Sequence, residues 1–209
     1  MNRKIFVIGF NKTATSTFHQ LFLSNGLKSQ HGKVWETDKY DCFSDNPELN
    51  NYKEVYKNYP NSIFILNTRG LNSWLLSRAM HCQYHKQTWG HPLTKKIVSK
   101  WIDNRYEKYV EILNFFKDIP EKLIIVNIEK DDWLQFIMDK LVLKKSPYKK
   151  YNTAKKISSK KKKEFEDIIL ETLLDKNILK KYHDDILIDR EINRDNNLKN
   201  LINNYLNNL

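Results

Sequence analysis

The chain has 209 residues, 40% of them hydrophobic, which suits one domain or a domain with an appendage and is enough to bury a core. Lys and Arg number 36 against 25 Asp and Glu, a net charge of +11, and most of that excess falls in one acid-free run holding Lys144, Lys145, Lys149, Lys150, Lys155, Lys156 and Lys160 to Lys163. Charge so concentrated argues for one local polyanion site and against a surface that coats nucleic acid, and the lack of any apolar run of about 18 residues argues against a membrane span.

Ile5 to Ile8 is a short unbroken apolar run rich in β-branched residues, the pattern of a strand covered on both faces. Gly9 ends it, and Thr13, Thr15, Ser16 and Thr17 follow before apolar residues resume at helical spacing with Phe18, Leu21 and Phe22. A helix that starts directly off a strand aims its first backbone N–H groups at whatever occupies the turn. That makes an anion site, to which the hydroxyls add donors and Lys12 a full positive charge. Gly9 and Ser16 keep the register of the nucleotide-triphosphate loop G-x-x-x-x-G-K-[ST], but Ala14 and Thr15 stand where its second glycine and its lysine belong. An ATPase or GTPase reading is weakened accordingly. Ala14 also implies right-handed backbone at that point, since φ > 0 would cost alanine about 1 kcal/mol.

Gly26 reads as the C-cap of the first helix, and Leu27 to His31 as a short second strand. Gly32 to Glu36 reads as a loop or irregular strand. Asp45 and Pro47 mark a helix start, and that helix runs to Tyr59. Ser62 to Asn67 is the next buried strand, leading through Thr68-Arg69-Gly70 into a helix with Trp74 and Ser77. His91-Pro92 opens a long helix through Phe116. Leu123 to Ile128 is a further strand, with Asp131 or Asp132 capping the helix that carries Trp133, Phe136, Ile137 and Leu141. Strands alternating with helices imply a three-layer α/β fold around a mostly parallel sheet, with ligands beyond the carboxyl ends of the strands. The Gly9 and Arg69 turns both lie at such ends, so one crevice is expected to serve both. Residues 1–157 are read as this domain. Residues 158–209 are read as a helical extension packed on it or on a second subunit, with apolar stripes at Phe165, Ile168, Ile169, Leu173 and at Leu198, Leu201, Ile202, Tyr205, Leu209.

The segment Gly9-Phe10-Asn11-Lys12-Thr13-Ala14-Thr15-Ser16 resembles the 5′-phosphosulfate loop of the sulfotransferases that use 3′-phosphoadenosine 5′-phosphosulfate (PAPS), with Ala14 in place of a glycine. Arg69 and Ser77 stand eight apart, with Trp74 between them, as do the Arg and Ser that bind the cofactor's 3′-phosphate in that family. The Trp133 helix and Ser146 to Asn152 are similar to the family's late helix and the loop that covers the nucleotide. The resemblance spans roughly residues 3–153 and implies PAPS as donor, its desulfated product PAP, and no metal. It also implies donor contacts from Asn11, Lys12, Thr13, Ala14, Thr15, Ser16, Thr17, Arg69, Ser77, Lys149, Lys150 and Asn152. Lys12 is the natural cation for the leaving phosphate oxygen.

Family members use a His or a Glu as general base. His31 at the end of the second strand is favoured, since a neutral imidazole suits neutral pH, and Glu36 is its rival. His81, Cys82, His85 and His91 form a tempting zinc set, but one Cys and no second ligand pair leave substrate contact or a plain surface as the better readings. His19 reads as structural. The acceptor, whether sugar, lipid, peptide tyrosine or small phenol, is not legible. The rival readings are a kinase-like P-loop enzyme, a non-enzymatic nucleic-acid binder using the lysine run, and a family member that has lost catalysis. Cys42 and Cys82 sit in no CxxC pattern, and the first strand begins close to Met1, which together lead to the expectation of a reducing, cytoplasmic setting.

Overall fold

The computed structural model describes residues 3–86, 88–144 and 157–175. The fold is α/β, built on a five-stranded, all-parallel sheet: β1 (Ile5–Val7), β2 (Ser29–His31), β3 (Cys42–Ser44), β4 (Ile63–Thr68) and β5 (Leu123–Asn127), in the order β2-β3-β1-β4-β5. Among the described residues six α-helices accompany it: α1 (Thr15–Ser24), α2 (Tyr52–Asn58), α3 (Leu71–His85), α4 (Lys95–Phe116), α5 (Trp133–Leu141) and α6 (Ser159–Leu173). The described chain divides into two compact units, one from residues 3–68 and 113–144, the other from 69–112 and 157–175.

The first unit holds the whole sheet. Ile5, Phe6 and Val7 are buried because β1 is covered on both faces and flanked on both edges. Successive side chains point to opposite faces, and each face has its own core. On one, Ile5, Val7, Cys42, Ile63 and Ile65 meet Phe18, Leu21 and Phe22 of α1 and Ile137 and Met138 of α5. On the other, register places Phe6 beside Phe43 and Phe64, and the three rings form a row with centroids 5.5 and 5.3 Å apart. Trp35 extends the row at 4.9 Å from Phe43, and Phe116 at 5.1 Å from Phe64. Burying such rings is the main source of stability at about 1.5–3 kcal/mol each.

Helix α1 closes as the glycine predicts: Gly26 has φ 76, its N–H donates to Leu23 O, and Leu27 N–H donates to Phe22 O. The loop before α2 differs in detail. Asn46, not Asp45, is the N-cap, and a 3-10 turn (Pro47–Asn51) precedes α2. Helix α4 begins at Lys95, after Thr94, whose carbonyl accepts from Val98. Asp132 stands at the N-cap of α5 without a side-chain bond.

In the second unit, α3 packs against α6, whose buried face is Phe165, Ile169, Thr172 and Leu173. Lys95 pairs with Glu171 at 2.7 Å. The Arg78 guanidinium lies among Trp74, Trp89 and Trp101, 4.6–5.3 Å from each ring centre. Gly90 passes so close to Cys82 and Trp101 that a Cβ there would sit 2.6 Å from Cys82 Sγ.

Candidate active site

The chain leaves β1, takes α1 to β2 and β3 on one side, and returns to build β4 and β5 on the other. The sheet order therefore reverses at β1, and a ligand crevice belongs beyond its carboxyl end. Residues 9–14 occupy that place. Gly9 has no room for a side chain, since a Cβ would lie 2.2 Å from Asn67 O and 2.3 Å from Asn67 Oδ1.

Asn67 fixes this loop. It is fully buried near the end of β4, its Oδ1 accepts from Gly9 N–H at 2.8 Å, and its Nδ2 donates to Thr13 O and Thr13 Oγ1 at 2.6 and 2.7 Å. The Thr13 hydroxyl in turn donates to Phe10 O. Thr13 is thus engaged inside the loop. Asn67 was not singled out from the sequence; its one signal is a polar residue directly after the apolar run Ile63–Leu66.

The loop corrects one expectation. Ala14 is left-handed, with φ 65 and ψ 27, and Lys12 has φ 67. Local preference alone disfavours this conformation in alanine. The bonds from Asn67 to Thr13, with those from Thr17 and Phe18 N–H to Ala14 O, hold both sides of the residue and outweigh a penalty of about 1–2 kcal/mol. Ala14 is the N-cap of α1 and has no side-chain oxygen for the first-turn N–H groups. The left-handed turn brings the chain round onto the helix axis, the geometry of an anion-binding concavity. Lys12 and Ser16 are half-buried there, as is Asn11, while Thr15 and Thr17 are buried.

His31 ends β2 beside this loop. Its Nε2 lies 3.3 Å from Ser16 Oγ and its Nδ1 3.0 Å from Ser44 Oγ. His19 stacks on it at 5.6 Å and is held by Ser29, Nδ1 to Oγ 2.9 Å, which gives His19 a structural contact. Burial pulls the His31 pKa down from its ordinary value, and the Asp45 charge opposes that pull; burial and then His31 itself lower His19. Glu36 stands in an exposed turn, paired with Lys39 at 3.2 Å.

In the second unit Arg69 immediately follows β4 in the chain and is half-buried, its carbonyl accepting from Arg105 Nη2 at 3.1 Å. Arg105 is itself buried against Trp74 and Tyr109. Ser77 lies two turns into α3, one turn beyond Ser73. The His81 and His85 rings lie 4.3 Å apart, tilted by 52°, but Cys82 between them turns inward, and among the described residues no three His, Cys, Asp or Glu side chains gather to hold a metal. Lys149, Lys150 and Asn152 lie outside the described residues, as does the stretch from Leu198 to Leu209. Three lysines of the basic run open α6 with acidic partners: Lys161 with Glu164, Lys162 with Glu166, Lys163 with Asp167.

Residues 33–123 match the family model of the sulfotransferase domain, which supports a sulfotransferase family assignment for that part of the chain. The matched span includes Glu36, β3, β4, Arg69 and Ser77, while the Gly9 to Thr17 loop and His31 precede it. The five-stranded parallel sheet flanked by helices is consistent with the P-loop-like fold of that family. No curated protein matches the chain. No helix among the described residues is long and apolar enough to cross a membrane.

Proposed function

We propose that the protein transfers a sulfuryl group from PAPS to a hydroxyl or amine of a small-molecule or glycan acceptor. The observation that carries this reading is the β1–α1 loop. It lies at the reversal of strand order, is fixed by Asn67, and carries Lys12 and, at the helix N-terminus, Ser16, whose Oγ lies 3.3 Å from His31 Nε2. Such a loop fits a 5′-phosphosulfate, since first-turn N–H groups and hydroxyls match phosphate oxygens and Lys12 supplies the counter-charge.

The donor, when bound, supplies an activated sulfur–oxygen bond. Lys12 neutralises the charge that develops on the bridging phosphate oxygen as it takes the electron pair of the breaking bond. His31 takes the proton of the acceptor as that group's oxygen or nitrogen bonds to sulfur. The loop orients the two groups in line, and this positioning is the larger part of what the chain contributes. His31 is preferred to Glu36 because it touches Ser16, whereas Glu36 pairs with Lys39. Thr13 contributes through its backbone, its hydroxyl being engaged. Arg69 and Ser77 are assigned the 3′-phosphate on their spacing and on their place within the matched span, an Arg fork suiting a terminal phosphate. Lys149, Lys150 and Asn152 are assigned to the nucleotide by the resemblance alone. The free buried thiols of Cys42 and Cys82 favour a reducing, cytoplasmic setting.

Calorimetric titration with PAP, with ATP as control, tests the donor; preference for ATP overturns it in favour of a kinase-like enzyme. Lys12→Ala tests catalysis. Transfer from PAPS to a phenol probe such as 2-naphthol is expected to fall by about 10²–10³-fold, with a loss of PAP affinity below about tenfold. Equal losses in both would mark Lys12 as a binding residue only.

A further inference from the structure

The turn after β3 carries a carboxylate that belongs with this site. Asp45 directly follows Ser44 and has φ 54, a left-handed conformation that Asp tolerates better than most residues. The next residue, Asn46, is buried, and its Nδ2 donates to Gly32 O at 2.7 Å and Val34 O at 2.8 Å, tying the turn to the loop after β2. The backbone is thus held from both sides, and the Asp45 carboxylate swings back over the strand ends. Its Oδ2 lies 3.7 Å from His31 Nε2, on the ring edge that also meets Ser16, and the carboxylate is within electrostatic reach of Lys12.

A negative charge here works against the neighbouring loop. It repels any phosphate or sulfate that the loop receives and draws on the same lysine. What it gains is its contact with the imidazole. A His that has just accepted a proton is a cation, and a carboxylate at its Nε2 edge stabilises that form, while Ser44 at Nδ1 fixes the ring's orientation.

On the sulfotransfer reading above, we propose that Asp45 is a positioning residue of the transfer site that acts through His31: its carboxylate, 3.7 Å from Nε2, stabilises the imidazolium formed when the acceptor's proton is taken, while weakening the binding of the donor. The other groups that face His31 are Ser16 and the stacked His19 from α1 and Ser44 from β3. His19 acts against the imidazolium and the two hydroxyls are neutral, so Asp45 is the carboxylate among these neighbours; burial raises its pKa, and His31 and Lys12 oppose that rise. Loss of the Asp45 charge then moves transfer and donor affinity in opposite directions, which damage to the fold does not do.

Asp45→Asn and Asp45→Glu in the full chain test it, with far-UV circular dichroism confirming that each is folded. Proton NMR of the His31 ring in the donor-free protein is expected to show the Asp45→Asn midpoint moved down by about half to one pH unit. Calorimetry with PAP is expected to show binding about two- to tenfold tighter, and turnover of 2-naphthol at least about tenfold slower with its acid limb moved to lower pH. Asp45→Glu, which restores the charge, is expected to return all three toward the parent values. An unchanged His31 midpoint, or weaker PAP binding in a folded Asp45→Asn protein, overturns the role assigned to Asp45 alone. A parent protein that binds no PAP overturns the donor assignment and this role with it.

Discussion

At the scale of single residues, the site depends on Asn67 more than on any residue that would touch a ligand. Three of its hydrogen bonds hold Gly9 and Thr13 in place from a fully buried position. Asn67→Ala leaves the Gly9 N–H and the Thr13 carbonyl without those partners. It is expected to lower stability by about 1–3 kcal/mol and to weaken PAP binding, read by urea unfolding and calorimetry. Ala14 gives the opposite sign. Its left-handed backbone suits glycine, so Ala14→Gly is expected to raise unfolding free energy by about 0.5–1 kcal/mol without loss of PAP binding. The chemistry of the loop was legible in the sequence, because Lys12 and the hydroxyls carry it in their residue types. The conformation of Ala14 was not, since long-range bonds from residue 67 set it. Asp45 was legible only as a helix-start residue, because what makes it matter is the fold of β2 against β3.

Among the elements, the strands that could be read were the long apolar ones. Ile5–Val7, Ile63–Leu66 and Leu123–Val126 stand out as unbroken runs; β1 and β4 are buried throughout, and β5 at its carboxyl end. The strand Cys42–Ser44 went unread because three residues with one aromatic, set between Asp41 and Asp45, carry no periodicity. It is held by its neighbours, paired with β1 and β2 on either edge. The end of β2 carries the pH dependence. His31 and His19 both have their pKa lowered by burial, so the unfolded chain takes up protons first as pH falls below about 6.5. Stability is expected to be complete above that pH, to decline as pH falls through the lowered folded values, and then to level off for these two groups. Urea unfolding at a series of pH values reads this, and His31→Gln is expected to flatten part of the decline.

For the whole molecule, ligand linkage is the sharpest check. PAP at about 100 times its Kd is expected to raise unfolding free energy by about 2.7 kcal/mol, seen as a higher Tm, while AMP, which lacks the 3′-phosphate, does so far less. Arg69→Ala is expected to erase that difference between PAP and AMP if the 3′-phosphate assignment holds. The pairing of Lys161, Lys162 and Lys163 with acids along α6 leaves that helix poorly suited to a polyanion. Weak DNA binding, lost steeply with added salt, is therefore the expected behaviour. The parallel α/β class was readable from the alternation of strands and helices. The interruption of the first unit by residues 69–112 was not, because contacts and not composition define it.

That interruption governs the order in which the protein can be completed during synthesis. Strand β4 is made early, yet its outer neighbour β5 arrives only after residues 69–112 have been translated. Until then, six residues with the apolar sequence Ile63 to Leu66 at their core present an open rim of amide and carbonyl groups to other nascent chains. A ribosome that stalls before residue 123 would release a product prone to clump, and chaperone demand should peak in that window.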